Sequence, residues 1–382
     1  MTPGARIAAA ITVLDAILSG QAAERALLRW SRASRFAGSG DRAALRDLVF
    51  GALRRRDSLA AMGGAMTGRG LMIGHLRAAG IDPATVFTGE GHAPAPLTGA
   101  EAAVQHPDPL PDDLPDWLRP VWGASLGADA GAVAAAMTDR APVWLRVNPR
   151  RATPEAAARA LADEGIVTEP APDLPGALRV TANERAVARS QAYRDGLIEL
   201  QDLSPQRACA ALALDDGMRL LDYCAGGGGK ALALASRQPG MQVEAHDADP
   251  RRMTDIPARA ARAGLRITVT QAPRGDFDLV VADVPCSGSG TWRRTPDAKW
   301  RLTPQALGDL QALQARILDQ AAGLVGPGGR LAYMTCSLLD GENGDQVQDF
   351  LARNGGFRRL DQRRWTPLDG GDGFFMAVLG RN

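Results

Sequence analysis

The run FDLVVADVPCSGSGTWRRTPDAKW, residues 277–300, contains the signals that decide the fold. Its first part, Leu279–Ala282, is continuously apolar, which is typical of a central parallel strand covered on both faces. Asp283 follows where that strand must end, because Pro285 cannot extend a hydrogen-bonded ladder. Cys286 is therefore predicted in a turn at the carboxyl end of a strand, the edge at which open parallel sheets bind ligands.

Strand and helix signals alternate on both sides of this run, from Asp216 to the end of the chain. Helices are predicted up to Ser236, around Arg259 and over residues 304–324. The other predicted strands lie in MRLLDYC, QVEAHD, RITVT, GRLAYMTCS and GFFMAVLG. Such alternation indicates an α/β doubly wound sheet with right-handed crossovers. The last strand has no helix after it, so we expect it to pair antiparallel at an edge.

The remainder of the chain divides into regions of different character. Apolar residues at helical spacing, without strand signals, predict an all-α domain over residues 1–80. Residues 81–115 are rich in Pro, Gly and Asp, which indicates a linker. Residues 116–206 mix helical segments with short strands and are interpreted as a small α+β module. The doubly wound domain then occupies residues 207–382.

Composition excludes several kinds of protein. The chain has 382 residues, with 44 basic and 43 acidic side chains and a net charge of +1, so any nucleic-acid surface must be local. The four cysteines show no CxxC spacing and the histidines are scattered, which argues against a metal site. We find no apolar run of the length of a signal peptide or a membrane span. We therefore expect a cytoplasmic monomer with reduced thiols and no membrane partner.

Reactive side chains recur at the predicted strand ends. Asp222 closes the first strand of the sheet, Asp247 the second and Asp283 the fourth, whereas Thr335 and Cys336 close the fifth. Each could be an ordinary turn residue or a small buried thiol when taken singly. Because the carboxyl ends of parallel strands meet at one edge, we expect these residues to line a single crevice.

The first turn of the sheet, DYCAGGGGK over residues 222–230, has the character of a nucleotide-binding loop. Gly226, Gly228 and Ala231 satisfy the spacing G-x-G-x-x-A, and Asp247 follows at a distance suited to a ribose hydroxyl. A P-loop is excluded because its first glycine and its magnesium-binding Ser/Thr are both missing. The spacing alone leaves a dinucleotide and S-adenosylmethionine as alternatives.

The thiols favour methyl transfer over hydride transfer. A thiolate is a strong nucleophile, and hydride transfer to a dinucleotide has no use for one. Carbon 5 of a pyrimidine, in contrast, becomes nucleophilic only after a group adds covalently at carbon 6. Cys286 and Cys336, in turns at adjacent strand ends, suit that chemistry.

Three motifs, DYCAGGGGK, ADVPCSGSGTWRRTPD and YMTCSLLDGEN, together resemble the RNA (cytosine-5)-methyltransferases, in particular the bacterial Fmu/Sun (RsmB-like) enzymes of ribosomal RNA. The segments AERALLRW and DRAALRDLVFGALRRR are similar to that family's NusB-like RNA-binding domain. WLRVNPR and QDLSPQ resemble the region before its catalytic domain. The resemblance implies a Rossmann-like, SAM-dependent methyltransferase sheet at the C-terminus, preceded by an all-α NusB-like domain and a small α+β module.

The resemblance also implies roles for four residues. Cys336 would be the nucleophile that attacks carbon 6 of the target cytosine, and Cys286 would assist release of the methylated product. Asp283 would hydrogen-bond the base near N3 and its amino group, and Lys230 would point into the same pocket. The base would leave its stack to reach them.

The implied cofactor is S-adenosyl-L-methionine. The residues expected to hold it are Cys224, Ala225, Gly226, Gly227, Gly228, Gly229, Lys230, Asp247 and Asp283. Gly227 stands where the family usually has proline. The family usually has an aspartate near the adenine in the segment after RITVT, but here that segment, TQAPRGDFD, is short, so the residue that contacts the adenine stays open between Gln271 and Asp276.

The end of the opening run combines cations with indoles. Trp292, Arg293, Arg294 and Lys299 are predicted to form a phosphate and stacking surface for RNA, the alternative being a solvated loop with half-buried indoles. The expected substrate is 16S rRNA. The alternatives are a tRNA or DNA cytosine-5 methyltransferase and a non-catalytic RNA-binding ribosome assembly factor.

Overall fold

The computed structural model describes residues 1–382, and its contacts group them into two compact units. One, here called the helical unit, comprises residues 1–140 and 292–302. The other, here called the catalytic unit, comprises residues 141–291 and 303–382.

The helices of the helical unit are α1 (Pro3–Leu18), α2 (Ala23–Ala33), α3 (Ser39–Arg54), α4 (Arg56–Gly63), α5 (Gly68–Ala78), α6 (Gly99–Ala102), α7 (Arg119–Leu126), α8 (Ala130–Ala136) and, later in the chain, α14 (Pro296–Arg301). Those of the catalytic unit are α9 (Pro154–Asp163), α10 (Gln191–Arg194), α11 (Leu203–Ala211), α12 (Gly229–Arg237), α13 (Ile256–Ala263), α15 (Pro304–Ala322) and α16 (Gly344–Arg353). The strands, all in the catalytic unit, are β1 (Val143–Val147), β2 (Val167–Ala171), β3 (Leu174–Ala182), β4 (Ile198–Leu200), β5 (Arg219–Asp222), β6 (Gln242–Ala245), β7 (Thr268–Val269), β8 (Phe277–Asp283), β9 (Val325–Thr335), β10 (Phe357–Trp365) and β11 (Phe374–Arg381).

The helical unit is all-α, as the apolar spacing predicts. Helix α1 begins after Thr2, whose hydroxyl accepts a hydrogen bond from the backbone N–H of Ala5, and proline at its first position suits the helix start. Ile7 and Leu14 are buried on one face of α1 and join a core with residues of α3 and α5. Burial of this apolar stripe stabilises the bundle.

Residues 81–115 differ from the linker predicted for them, because they are held against the helices. Glu101 forms an ion pair with Arg69 at 2.7 Å, which lowers the pKa of Glu101 to about 2. Asp113 accepts hydrogen bonds from the first backbone N–H groups of α4 and from the Ser58 hydroxyl. The helical unit therefore continues to Arg140 instead of ending near residue 80.

The small module contains a four-stranded antiparallel sheet in the order β2-β3-β1-β4. The strands predicted near Val143 and Val180 are β1 and β3, and these two residues pair across the ladder. Strands β2 and β4 are short or exposed and have no clear alternation in the sequence. Leu161 of α9 packs on the sheet in a separate small core.

The large sheet is Rossmann-like and has the order β10-β11-β9-β8-β5-β6-β7. Strands β5 to β9 are parallel, and β11 pairs antiparallel with β9, as predicted. The prediction that β11 lies at the edge is wrong, because β10 pairs with its other side. The sequence FRRLDQRRW of β10 carries four arginines, which hid this strand from a search for apolar alternation. No helix of the structure is both long and apolar enough to span a bilayer.

Candidate functional site

The carboxyl ends of β5, β8 and β9 lie side by side at one edge of the large sheet. Val281 of β8 pairs with Asp222 at the end of β5, and Asp283 pairs with Met334 just before the end of β9. Parallel pairing therefore brings the predicted strand-end residues of this sheet to a common edge.

The glycine-rich turn between β5 and α12 is built from left-handed backbone. Gly226 and Gly228 have φ angles of +51° and +80°, a region that favours glycine. A Cβ at Gly228 would also lie 2.9 Å from a side-chain carbon of Ile256. The turn can therefore keep its path only with glycine at these two positions.

Asp222 forms a buried link between the sheet and the start of α12. Its Oδ2 accepts a hydrogen bond from the backbone N–H of Ala231 at 3.0 Å, whereas its Oδ1 is buried without a partner. Burial raises the pKa of Asp222 to about 7. The sequence places Asp222 at the strand end, but nothing in it indicates this unpaired oxygen.

Asp247 lies at the end of β6 and closes over the same turn. Its Oδ2 accepts from the backbone N–H of Gly226 at 2.9 Å, and its Oδ1 from that of Asp249 at 3.0 Å. Arg252, with a half-exposed side chain, forms an ion pair with Asp247 at 3.0 Å. Asp247 is thus fixed by the loops that it joins, with one half-exposed cation, Arg252, on its outer side.

Lys230 and Asp283 form a direct ion pair between the first turn of α12 and the end of β8. Burial by itself would lower the pKa of Lys230, but the ion pair with Asp283, together with nearby Asp222, outweighs burial, so that the pKa is raised. The Lys230 ammonium also lies 5.2 Å from the centre of the Phe374 ring. Two residues predicted to share a pocket are therefore in contact.

The thiols of Cys286 and Cys336 are neighbours, with their sulfur atoms 3.4 Å apart. Their turns are joined by a hydrogen bond of 2.9 Å from the backbone N–H of Gly290 to the carbonyl oxygen of Cys336. The contact with Cys336 and burial both raise the pKa of Cys286. The protein by itself therefore keeps Cys286 as a neutral thiol.

The other two cysteines differ from this pair. Burial raises the pKa of Cys224 strongly, and the nearby acids Asp222 and Asp283 add to the effect. Burial also raises the pKa of Cys209 to about 11, and that residue lies within the core. Neither thiol is activated as a nucleophile.

Several residues that support the site have no signal in the sequence. Arg259 of α13 donates to the carbonyl oxygen of Gly227 and to the buried carboxylate of Glu199, which Arg262 also contacts. These contacts fix the turn at the position where the resembling family has proline. Glu342, in the turn after Cys336, accepts hydrogen bonds from both cysteine turns.

The two candidates for the adenine contact lie at different edges of the sheet. Gln271 follows β7, at the carboxyl edge that carries the site, and is exposed. Asp276 precedes β8, and its carbonyl oxygen accepts from Arg219 at the start of β5. Asp276 thus lies at the amino ends of the strands, whereas ligands bind at the carboxyl ends. Asp276 is therefore not a candidate for the adenine contact, and Gln271 stays a prediction.

The predicted RNA surface is wrong for three of its four residues, because they are buried. Trp292 stacks on Trp122 with ring centres 5.9 Å apart and is 1% exposed. Lys299 is 2% exposed and donates to the carbonyl oxygens of Arg54 and Asp113 at 3.2 and 2.6 Å. Arg293 is buried as well, and its own carbonyl oxygen accepts from Arg54.

The remaining member of that surface, Arg294, is half-buried, and its role toward RNA stays a prediction. Its neighbours pack because an indole and a lysine stem offer large apolar areas to the helices. A sequence pattern of alternating indoles and cations therefore fits a packed segment as well as it fits an RNA surface.

Two family models match parts of the chain. Residues 209–379 match the model described as 16S rRNA methyltransferase RsmB/F. Residues 114–187 match the ferredoxin-like domain of RsmF/B-like methyltransferases, which includes most of the small module.

Curated relatives have the same affiliation. A protein named ribosomal RNA small subunit methyltransferase B from Salmonella arizonae is 35% identical over 261 residues, 64% of this chain and 61% of the relative. One of the same name from Xanthomonas campestris is 35% identical over 288 residues, 69% of this chain and 65% of the relative. The chain thus spans less than two thirds of the length of these relatives.

Solved structures show the same fold. The crystal structure of PH0851 matches with a TM-score of 0.78 and 21% identity, covering 99% of both chains. This likeness shows the fold. The two family models, which match residues 114–187 and 209–379, show that the chain belongs to the RsmB/F methyltransferase family.

Proposed function

We propose that the chain transfers a methyl group from S-adenosyl-L-methionine to carbon 5 of a cytosine in RNA, with 16S rRNA as the substrate. The observation that carries this proposal is the pair of thiols, Cys286 and Cys336, 3.4 Å apart at the strand ends that also hold the Lys230–Asp283 ion pair. The names of the matched family and of the curated relatives support ribosomal RNA as the substrate class.

The residues around the glycine turn fit the proposed cofactor. The buried, unpartnered Oδ1 of Asp222 suits an ammonium group, such as the one in the methionyl part of S-adenosylmethionine. Asp247 would accept from the ribose hydroxyls on the side now occupied by Arg252. When bound, the cofactor supplies an electrophilic methyl group to this edge of the sheet.

The thiols would divide the covalent chemistry between them. Cys336, as a thiolate, adds to carbon 6 of the cytosine, and the new bond makes carbon 5 a nucleophile. After methyl transfer, water takes the proton from carbon 5, the double bond between carbons 5 and 6 forms again, and Cys336 leaves carbon 6 as a thiolate. Cys286 lies within contact distance of Cys336 and assists this elimination.

The ion pair would orient and stabilise the base. The Asp283 carboxylate accepts a hydrogen bond from the cytosine amino group and lies near N3. Addition of sulfur at carbon 6 puts negative charge on the ring, and the buried ammonium of Lys230 stabilises that charge in a site of low dielectric. Both residues thus act most strongly after the covalent bond has formed.

The test is methyl transfer from radiolabelled S-adenosylmethionine to 16S rRNA, tRNA and duplex DNA in parallel. We expect label in 16S rRNA as 5-methylcytosine, and Cys286→Ala should accumulate a protein–RNA adduct that survives denaturant. Label only in tRNA or DNA would contradict the proposed substrate. Tight RNA binding without any methyl transfer would favour an assembly factor.

A further inference from the structure

A buried carboxylate lies behind the two thiols. Glu342 is fully buried, in a short turn after Cys336. Its own carbonyl oxygen accepts from the Tyr333 hydroxyl at 2.6 Å. Next to it, Asn343 donates from its side chain to the carbonyl oxygen of Ser337 at 3.0 Å and contacts the Thr335 hydroxyl. The backbone that carries Glu342 is therefore fixed to the end of β9.

The Glu342 carboxylate accepts four hydrogen bonds from uncharged donors. Its Oε1 accepts from the backbone N–H of Ser287 at 2.8 Å and from the Gln314 side chain at 2.9 Å. Its Oε2 accepts from the hydroxyls of Ser287 and Ser337. A carboxylate offers only acceptor sites, so each of the four donors finds an acceptor on Glu342.

These donors lie directly beside the thiols in the chain. Ser287 follows Cys286, and Ser337 follows Cys336. Gln314 also donates to the carbonyl oxygen of Pro285 at 2.9 Å, on the other side of Cys286. Glu342 therefore joins two turns that are about fifty residues apart in sequence, each at the residue next to a thiol.

A second serine strengthens the same connection. The Ser289 hydroxyl lies 3.0 Å from that of Ser337 and accepts from the backbone N–H of Leu338 at 2.8 Å. Gly290 in turn approaches Gly373 so closely that a Cβ on Gly290 would lie 2.2 Å from the Gly373 carbonyl oxygen. The turn that follows Cys286 is thus packed closely against the segment just before β11.

We propose that Glu342 is a positioning residue that sets the distance between the sulfur atoms of Cys286 and Cys336 through hydrogen bonds to both cysteine turns. The catalytic meaning of that distance rests on the proposed function. The distance itself can be measured without methyl transfer. The competing explanation is that Glu342 stabilises the fold and has no particular effect on the thiols.

The variant Glu342→Gln tests the proposal, because the amide keeps the shape but turns a donor toward groups that are themselves donors. Ser337→Ala is the milder second variant, since it removes only one of the four hydrogen bonds to the Glu342 carboxylate. Val347→Ala is the matched control: Val347 is buried in α16, the helix that follows Glu342, and has no part in the hydrogen bonds to the thiol turns.

The first readout is the rate of disulfide formation between Cys286 and Cys336 with oxidised glutathione. The two thiols lose two protons and two electrons, and one oxidised glutathione is reduced to two molecules of glutathione. We expect about a tenfold slower rate in Glu342→Gln, a smaller decrease in Ser337→Ala and none in Val347→Ala, since exchange depends on the approach of the second sulfur.

The second readout is methyl transfer to 16S rRNA, with kcat separated from KM. We expect Glu342→Gln to lower kcat and leave KM for RNA near its original value, because the thiols act after binding. An unchanged disulfide rate in folded Glu342→Gln, or an equal loss in Val347→Ala, would overturn the proposal. A Glu342-dependent disulfide rate in a protein that methylates no RNA would support the positioning role and reject the proposed function.

Discussion

The run of residues 277–302 has two halves that differ in composition and in what they do: residues 277–291 contain no Lys or Arg, whereas residues 292–302 contain four. Residues 277–291 belong to the catalytic unit and carry Asp283 and Cys286 at the sheet edge. Residues 292–302 belong to the helical unit, where Trp292 and Lys299 are buried. Reactive groups at a strand end point to chemistry, whereas cations beside indoles here serve packing.

The largest expected effect is a loss of methyl transfer when the chemistry at the first half is disturbed. Cys336→Ala, at the sulfur that faces the first half of the run, should reduce methyl transfer by roughly 10³-fold or more, because it removes the nucleophile. The free energy of unfolding should change by less than about 1 kcal/mol, since the thiol is only half-buried. Transfer assays and denaturant titration of the same preparation measure both quantities.

A Cys336→Ala protein that keeps its activity would mean that the roles of the thiols are misassigned. Cys209→Ala is the control, because that thiol is buried in the core and burial raises its pKa, so it does not act as a nucleophile. It should lose stability and retain transfer.

The second half should respond in the opposite way. Trp292→Ala removes a buried indole that stacks on Trp122, and we expect a loss of about 3–5 kcal/mol in the free energy of unfolding of the helical unit. Trp300→Ala, at a half-buried indole of the same segment, should cost less. Denaturant titration followed by circular dichroism measures both. If Trp292→Ala left the free energy of unfolding nearly unchanged, the second half would not serve packing.

Lys299 of the second half and Lys230, the ion-pair partner of Asp283 in the first half, have pKa shifts of opposite sign. This difference can be measured. Burial lowers the pKa of Lys299 from 10.5 to about 8, whereas the pKa of Lys230 is raised. Between pH 8 and 10 the unfolded chain holds more protons at Lys299 than the folded protein does. The free energy of unfolding of the wild type, relative to Lys299→Met, should therefore rise with pH in this window.

Thermal unfolding at several pH values measures that difference. Below pH 8 Lys299 is protonated in both states, so the difference should level off. A difference that falls between pH 8 and 10, or that is flat there, would show that burial does not dominate at Lys299. The same difference measured against Lys230→Met should show no rise between pH 8 and 10, because the pKa of Lys230 is raised and not lowered in the folded protein.

The smallest expected effect concerns Arg294, the half-buried member of the second half. If it contacts a phosphate, Arg294→Gln should weaken RNA binding a few-fold, to a similar extent for different sequences. The slope of log affinity against log salt should decrease by about 1. Filter binding at several salt concentrations checks this. An unchanged slope would assign Arg294 to packing, together with its neighbours.

The sheet and its reactive edge could be predicted because each depends on local sequence. An apolar run such as Leu279–Ala282 specifies a central strand by itself, and the residue after it must lie at the sheet edge. The contact between Lys230 and Asp283 follows once both strand ends are placed.

The rest depends on contacts between distant parts of the chain. Glu342 looks like an ordinary turn acid, and only burial against Ser287, Ser337 and Gln314 gives it four donors. The packing of Trp292 depends on Trp122, far earlier in the sequence. Strand β10 forms although its residues are mostly charged, because β11 offers it a free edge.

That outermost strand has a consequence for how molecules of this protein meet in solution. The free side of β10 presents unpaired backbone groups, which could recruit the same strand of another copy. Arg358, Arg359 and Arg363 are exposed along it. Two such edges brought together would place like charges side by side, so this strand protects the sheet from growing into an aggregate while it completes the hairpin with β11.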